Sequence, residues 1–147
     1  MKLLTKIAQI AKDAGQIMPC ATNITDAQHE KSGDYNLVNE YDVKVQRYLF
    51  EKLAAVLPEA NFIGEEENLE QDVNVSTGYH FVIDPIDGTT NFIHGYQHSS
   101  ISVALIKDGQ IVIGVVYNPY SGELFSAKKG AGAYLNGESI HTSIANI

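Results

Sequence analysis

Asp84-Pro85-Ile86-Asp87-Gly88-Thr89-Thr90-Asn91-Phe92 is the stretch on which the reading of this chain turns. Two carboxylates stand three positions apart with a proline between them, and a glycine and two threonines follow at once. Phe81-Val82-Ile83, just ahead, is a short apolar run that reads as a buried strand, so the acids fall where a strand ends. Pro85 fixes its own φ and stiffens the turn. Gly88 lets backbone come close to a ligand. Thr89 can open a short helix or cap it, and the first N–H groups of a helix point at an anion. Carboxylates suited to hard cations, beside a phosphate cradle, suggest metal-assisted phosphate chemistry. The plainer alternative is an Asp-rich turn, because Asp, Pro and Gly are all common turn residues.

The whole string decides between them. An aromatic residue, two spacers, then Asp-Pro-x-Asp-Gly-Thr-x-Asn-Phe resembles the signature of the inositol monophosphatase family, with Phe81 as the aromatic. The resemblance runs along the chain. Phe62-Ile63-Gly64-Glu65-Glu66 is similar to the family's Gly-Glu-Glu element. Asn36-Leu37-Val38 through Asp42 is similar to its helix start, and Lys31 to a loop lysine. Lys129-Gly130-Ala131-Gly132-Ala133 through Asn136-Gly137 also fits.

Outward from the motif, 147 residues are enough for one domain with a real core. A net charge of −8 argues against nucleic acid or an anionic membrane as partner. It would also repel a phosphorylated substrate unless bound divalent cations reversed the field locally. Cys20 is the only cysteine, so no internal disulfide can form, which fits a reducing, cytoplasmic setting. Leu3, Leu4, Ile7, Ile10, Ala14 and Ile17 have helical spacing, broken by Lys2, Lys6, Gln9, Lys12 and Asp13. That predicts an amphipathic surface helix rather than a signal peptide. No apolar stretch is long enough to span a membrane.

Thr22 to Asn36 is polar and reads as a loop or hairpin. A second helix is expected from near Asn39, as N-cap, with Asp42 as its capping partner and Pro58 as its stop. Val45, Leu49, Leu53 and Val56 supply its apolar stripe. Asn61 to Gly64 reads as a short strand running into Glu65, Glu66 and Glu67. Strands are expected at 80–84, 100–106, 111–117 and 124–127. Asp108-Gly109 is a strong hairpin turn, and Asn136-Gly137 marks another after Ala133-Tyr134-Leu135. Two helices followed by strands in meander order make an α+β fold, two helices on a mainly antiparallel sheet.

The resemblance implies roles, position by position. Glu65, Asp84 and the Ile86 carbonyl would bind a first Mg²⁺, and Asp84 and Asp87 a second. Glu65 and Thr89 would orient the attacking water, with Asp42 backing Thr89. Gly88 and Thr89 N–H groups would hold phosphate, and Lys31 would sit on a mobile loop. Read alone, Asp42 is equally a helix cap, Glu65 to Glu67 a solvated acidic turn, and Lys31 a surface lysine. His29, His80, His94, His98 and His141 show no zinc-ligand spacing. The resemblance further implies lithium sensitivity, a small inositol phosphate or sugar phosphate as substrate, and a homo-oligomer, a dimer. It departs from the family at Gln97, where many relatives have proline, and at Ile147, where relatives continue for a comparable length. Residues 1–147 therefore read as the N-terminal half of the layered αβαβα sugar-phosphatase fold. The absent half would carry a further metal-binding aspartate and most substrate contacts, so an alternative is a catalytically deficient fragment that acts with a partner chain.

Overall fold

The computed structural model describes residues 2–18, 34–65 and 74–143, with residues 34–39 described by their backbone. Lys31, Cys20, Glu66 and Glu67, singled out above, lie outside the described residues. Helix α1 spans Lys2–Gly15 and buries Leu4, Ile7, Ala8, Ala11 and Ala14, the three-and-four spacing of one helical face. Helix α2 spans Asp34–Val56.

This corrects the expected start near Asn39. Asn39 lies five residues inside the helix, so it is not an N-cap, and Asp42 is not its capping partner. Residues 35–38 contain no glycine or proline to halt the helix, and Asp34 places a negative charge near its positive end. Residues 34–36 are thus helical rather than part of a loop.

Seven strands form one sheet in sequence order: β1 Asn61–Gly64, β2 Tyr79–Asp87, β3 Ser100–Lys107, β4 Gln110–Asn118, β5 Glu123–Lys128, β6 Gly132–Leu135 and β7 Glu138–Ile140. A short helix, α3, spans Thr89–Ile93. Only the β1–β2 pair is parallel among these strands. The two expected hairpin turns are present. Asp108 and Gly109 have φ of 48° and 76°, and Asn136 and Gly137 have 52° and 87°, which favours Asn, Asp and Gly at these places.

Both long helices lie against one face of the sheet. Ile7, Ala11, Val45, Leu49 and Leu53 pack into one core with Phe81, Ile83, Val103, Leu105, Ile113 and Val115. Each large aliphatic side chain fully buried there contributes about 1.5–3 kcal/mol. Phe62 links the layers, with ring centroids 4.9 Å from Phe50 of α2 and 5.5 Å from Phe81 of β2. Strand alternation turns Val82, Asp84, Ala104, Val116 and Phe125 to the other face, which no described element covers. Val116 and Phe125 remain 40% and 42% exposed, and Ile111 64%.

Candidate active site

The parallel register sets the site. Gly64 pairs with Ile83, so the next residues, Glu65 and Asp84, emerge side by side at the same end of β1 and β2. Strand β2 then loses its regular ladder between Asp84 and Asp87. Pro85 lies in this irregular stretch, within the strand rather than in a turn, where its missing N–H is tolerated. The irregularity re-aims the side chains around Asp87, as bulges do.

Asp84 is half-buried on the open face. Burial, followed by the charges of Glu65 and Asp87, pushes its carboxyl up to about 7. One of its oxygens, Oδ1, is buried with no hydrogen-bond partner. A carboxylate held among other carboxylates, with one oxygen that has no partner, is suited either to keeping a proton or to binding a cation. The donors are oxygens alone, a set suited to Mg²⁺ rather than to a softer metal. Among the described residues, however, no group of three or more His, Cys, Asp or Glu side chains is placed to hold a metal ion. Mg²⁺ fits such a partial shell, because it usually keeps several waters and takes only one or two carboxylates.

Past Asp87 the chain turns on Gly88, whose φ of 85° makes it the left-handed N-cap of α3. Thr89 is therefore the first residue of the helix and not its cap. Its hydroxyl donates to the Ile86 carbonyl at 3.1 Å. That carbonyl has a second lone pair for another partner. The hydroxyl's one proton is committed there. Asp42 lies in α2, which packs against α3. It is 3% exposed, and its neighbour Tyr41 meets Phe92 of α3 edge-on at 5.8 Å.

Two contacts secure the turn. Ser99 donates to the Gly88 carbonyl at 3.0 Å, and the Asn91 amide donates to the His98 carbonyl at 2.8 Å. Asn91 belongs to the motif that opens the reading, but nothing in His98-Ser99-Ser100 marks Ser99 in sequence. A cavity of about 240 Å³ opens beside this turn, lined by Asp87, Gly88, Asn91 and Ser99 among others. A Cβ on Gly88 would stand 3.1 Å from the His98 carbonyl oxygen, in a backbone conformation that costs a non-glycine residue about 1–2 kcal/mol. Gly88→Ala is therefore expected to lower the melting temperature by several degrees. A thermal melt within a degree of the parent would contradict this account of the turn.

A profile of the inositol monophosphatase family matches residues 1–146. The chain belongs to the inositol monophosphatase family. It is 43% identical over 114 residues to inositol monophosphatase 2 of Saccharomyces cerevisiae, covering 78% of this chain and 39% of that protein. To the fructose-1,6-bisphosphatase/inositol-1-monophosphatase of Thermotoga maritima it is 34% identical over 143 residues, 97% of this chain and 51% of the other. It superposes on the crystal structure of inositol monophosphate-bound SaIMPase-II with a TM-score of 0.73 and 27% identity, covering 95% of this chain and 49% of that one. This member of the inositol monophosphatase family thus spans about half the length of the relatives it matches. Among the described residues, three helices and a seven-stranded mixed sheet make an α+β arrangement of the kind those structures contain.

Proposed function

We propose that this chain carries the metal- and phosphate-binding part of a Mg²⁺-dependent phosphomonoesterase acting on an inositol monophosphate or a related sugar phosphate. The observation that carries the reading is Asp84: a half-buried carboxyl crowded by Glu65 and Asp87, with one oxygen left without a partner. Family membership supports hydrolysis of an inositol phosphate or sugar phosphate.

Glu65, Asp84 and the Ile86 carbonyl would hold the first cation, and Asp84 with Asp87 a second. Bound there, Mg²⁺ would supply positive charge that attracts a phosphate monoester and makes water a better nucleophile. Glu65 takes up the proton that the attacking water loses. Thr89 keeps its hydroxyl proton on the Ile86 carbonyl, and its oxygen retains lone pairs that would accept from that water. The Gly88 and Thr89 N–H groups, at the start of α3, have no partner within the helix and suit phosphate oxygens. Asp42, buried in α2, would back Thr89.

Phosphate release from inositol 1-phosphate, measured with and without Mg²⁺ on this chain and on a longer form, tests the proposal. Activity is expected to need Mg²⁺ and to fall with Li⁺. Zn²⁺ restoring a chelated sample fully while Mg²⁺ did not would contradict the assignment, since the donors are hard oxygens.

The open sheet face favours a second reading. Asp84 lies on that face with Val82, Val116 and Phe125, so a polypeptide covering it would also reach the site. On this reading the 147-residue chain binds metal and phosphate but turns over substrate only with such a partner, a second copy included.

A further inference from the structure

We propose that Gln46 is the positioning residue of Glu65: its buried amide is seated on Gly64 and fixes the direction in which the chain leaves β1. The inference rests on the reading of Glu65 as a ligand and proton acceptor, and deepens it.

Gln46 lies on α2 one helical turn beyond Asp42, and it is 1% exposed. Its neighbours on that face, Val45 and Leu49, are apolar and fully buried. Placing an amide there has a desolvation penalty of about 1–3 kcal/mol wherever it is not compensated. Leucine or methionine would fill similar space without that penalty, so the core does not itself call for glutamine.

The amide lies against the strand end. A Cβ built on Gly64 would stand 2.2 Å from Gln46 Oε1, 2.5 Å from Cδ and 2.9 Å from Nε2. At those distances a side chain at position 64 and the Gln46 amide could not both stay in place, and one would have to shift. Gly64 is not among the glycines with positive φ, so its backbone would accept other residues. The amide of Gln46, not the backbone angle, is what a side chain at position 64 would have to displace. Gln46 and Gly64 are therefore a fitted pair, a long buried amide against a residue with no side chain. Gly64 is paired with Ile83, and the next step on each strand is Glu65 and Asp84. A shift of Gly64 would carry Glu65 away from Asp84. Displacing a catalytic group by about 1 Å can cost roughly 10²-fold in rate.

The test is a double-mutant cycle read by calorimetric Mg²⁺ titration of the 147-residue chain, with circular dichroism melts as the check on folding. Gln46→Ala is expected to weaken Mg²⁺ binding by about tenfold, the scale at which groups supporting a ligand act. Glu65→Gln is expected to weaken it at least as much. The double variant is expected to match Glu65→Gln alone within about twofold, because Gln46 acts through Glu65. If Gln46→Ala does not fold, Gln46→Met keeps the volume and takes its place in the cycle. Additive losses, or unchanged Mg²⁺ affinity in the Gln46 variant, would reduce Gln46 to packing and overturn the proposal. Mg²⁺ binding that is absent in the parent, or indifferent to Glu65→Gln, would overturn the reading of Glu65 and the positioning role with it.

Discussion

Glu65→Gln is expected to reduce turnover by about 10²–10⁴-fold in a longer form that carries the remainder of the family length, with the fold intact. The carboxylate is asked to do two things, to hold a cation with Asp84 and to accept a proton from water. The amide can do neither well, since it is uncharged and is not a base at neutral pH. Glu65 is exposed at the end of β1, outside the apolar core, so its replacement leaves the packing of Phe62 and Phe81 untouched. Steady-state phosphate release at saturating Mg²⁺ measures the effect. The loss should appear in kcat and kcat/KM together, as for a group used in the transition state. Turnover within a factor of about three of the parent would remove Glu65 from the chemistry.

Asp84→Asn is expected to separate stability from function. The variant should lose the stabilisation that Mg²⁺ gives, yet melt higher than the parent when both are metal-free. The reason is that Asp84 is raised to about 7 by burial and by Glu65 and Asp87. A carboxyl raised above its usual 3.8 contributes stability that is fully present below about pH 4 and is lost as pH rises through about 7. The neutral amide removes that loss. Without metal, the parent should therefore destabilise between pH 5 and 8 more than Asp84→Asn does, by a few degrees, since Asp84 is only half-buried and water screens part of the repulsion. Added Mg²⁺ should raise the parent's melting temperature at pH 8 by mass action and leave the variant unmoved. A variant less stable than the metal-free parent at pH 8 would mean that the carboxylates are not in conflict.

Much of this arrangement is legible in the sequence because local chemistry dictates it. Asp108-Gly109 and Asn136-Gly137 specify turns that need positive φ, and the structure has it at all four residues. The spacing of Leu4, Ile7, Ala11 and Ala14 specifies the buried face of α1. Asp84, Asp87 and Glu65 stand out by residue type, and the strands carry them to one end of the sheet. What is not legible depends on contacts distant in sequence. Asn39 has the right chemistry for an N-cap, but α2 extends past it to Asp34, leaving Asp42 buried in mid-helix. Thr89 also has cap chemistry, but the left-handed Gly88 takes that place and the hydroxyl turns back to Ile86. Neither the parallel pairing of β1 with β2 nor the fit of Gln46 against Gly64 has a local signal, because each joins residues at least 18 positions apart. Lys31 lies outside the described residues, and its loop role stays a proposal.

The central claim is that the carboxylates at the ends of β1 and β2 form a divalent-cation site. Calorimetric titration of the 147-residue chain with Mg²⁺ at pH 8, beside Asp84→Asn, tests it most directly. The account predicts one weak site in the parent and none in the variant. No binding by the parent at millimolar Mg²⁺, or equal binding by both proteins, would contradict it.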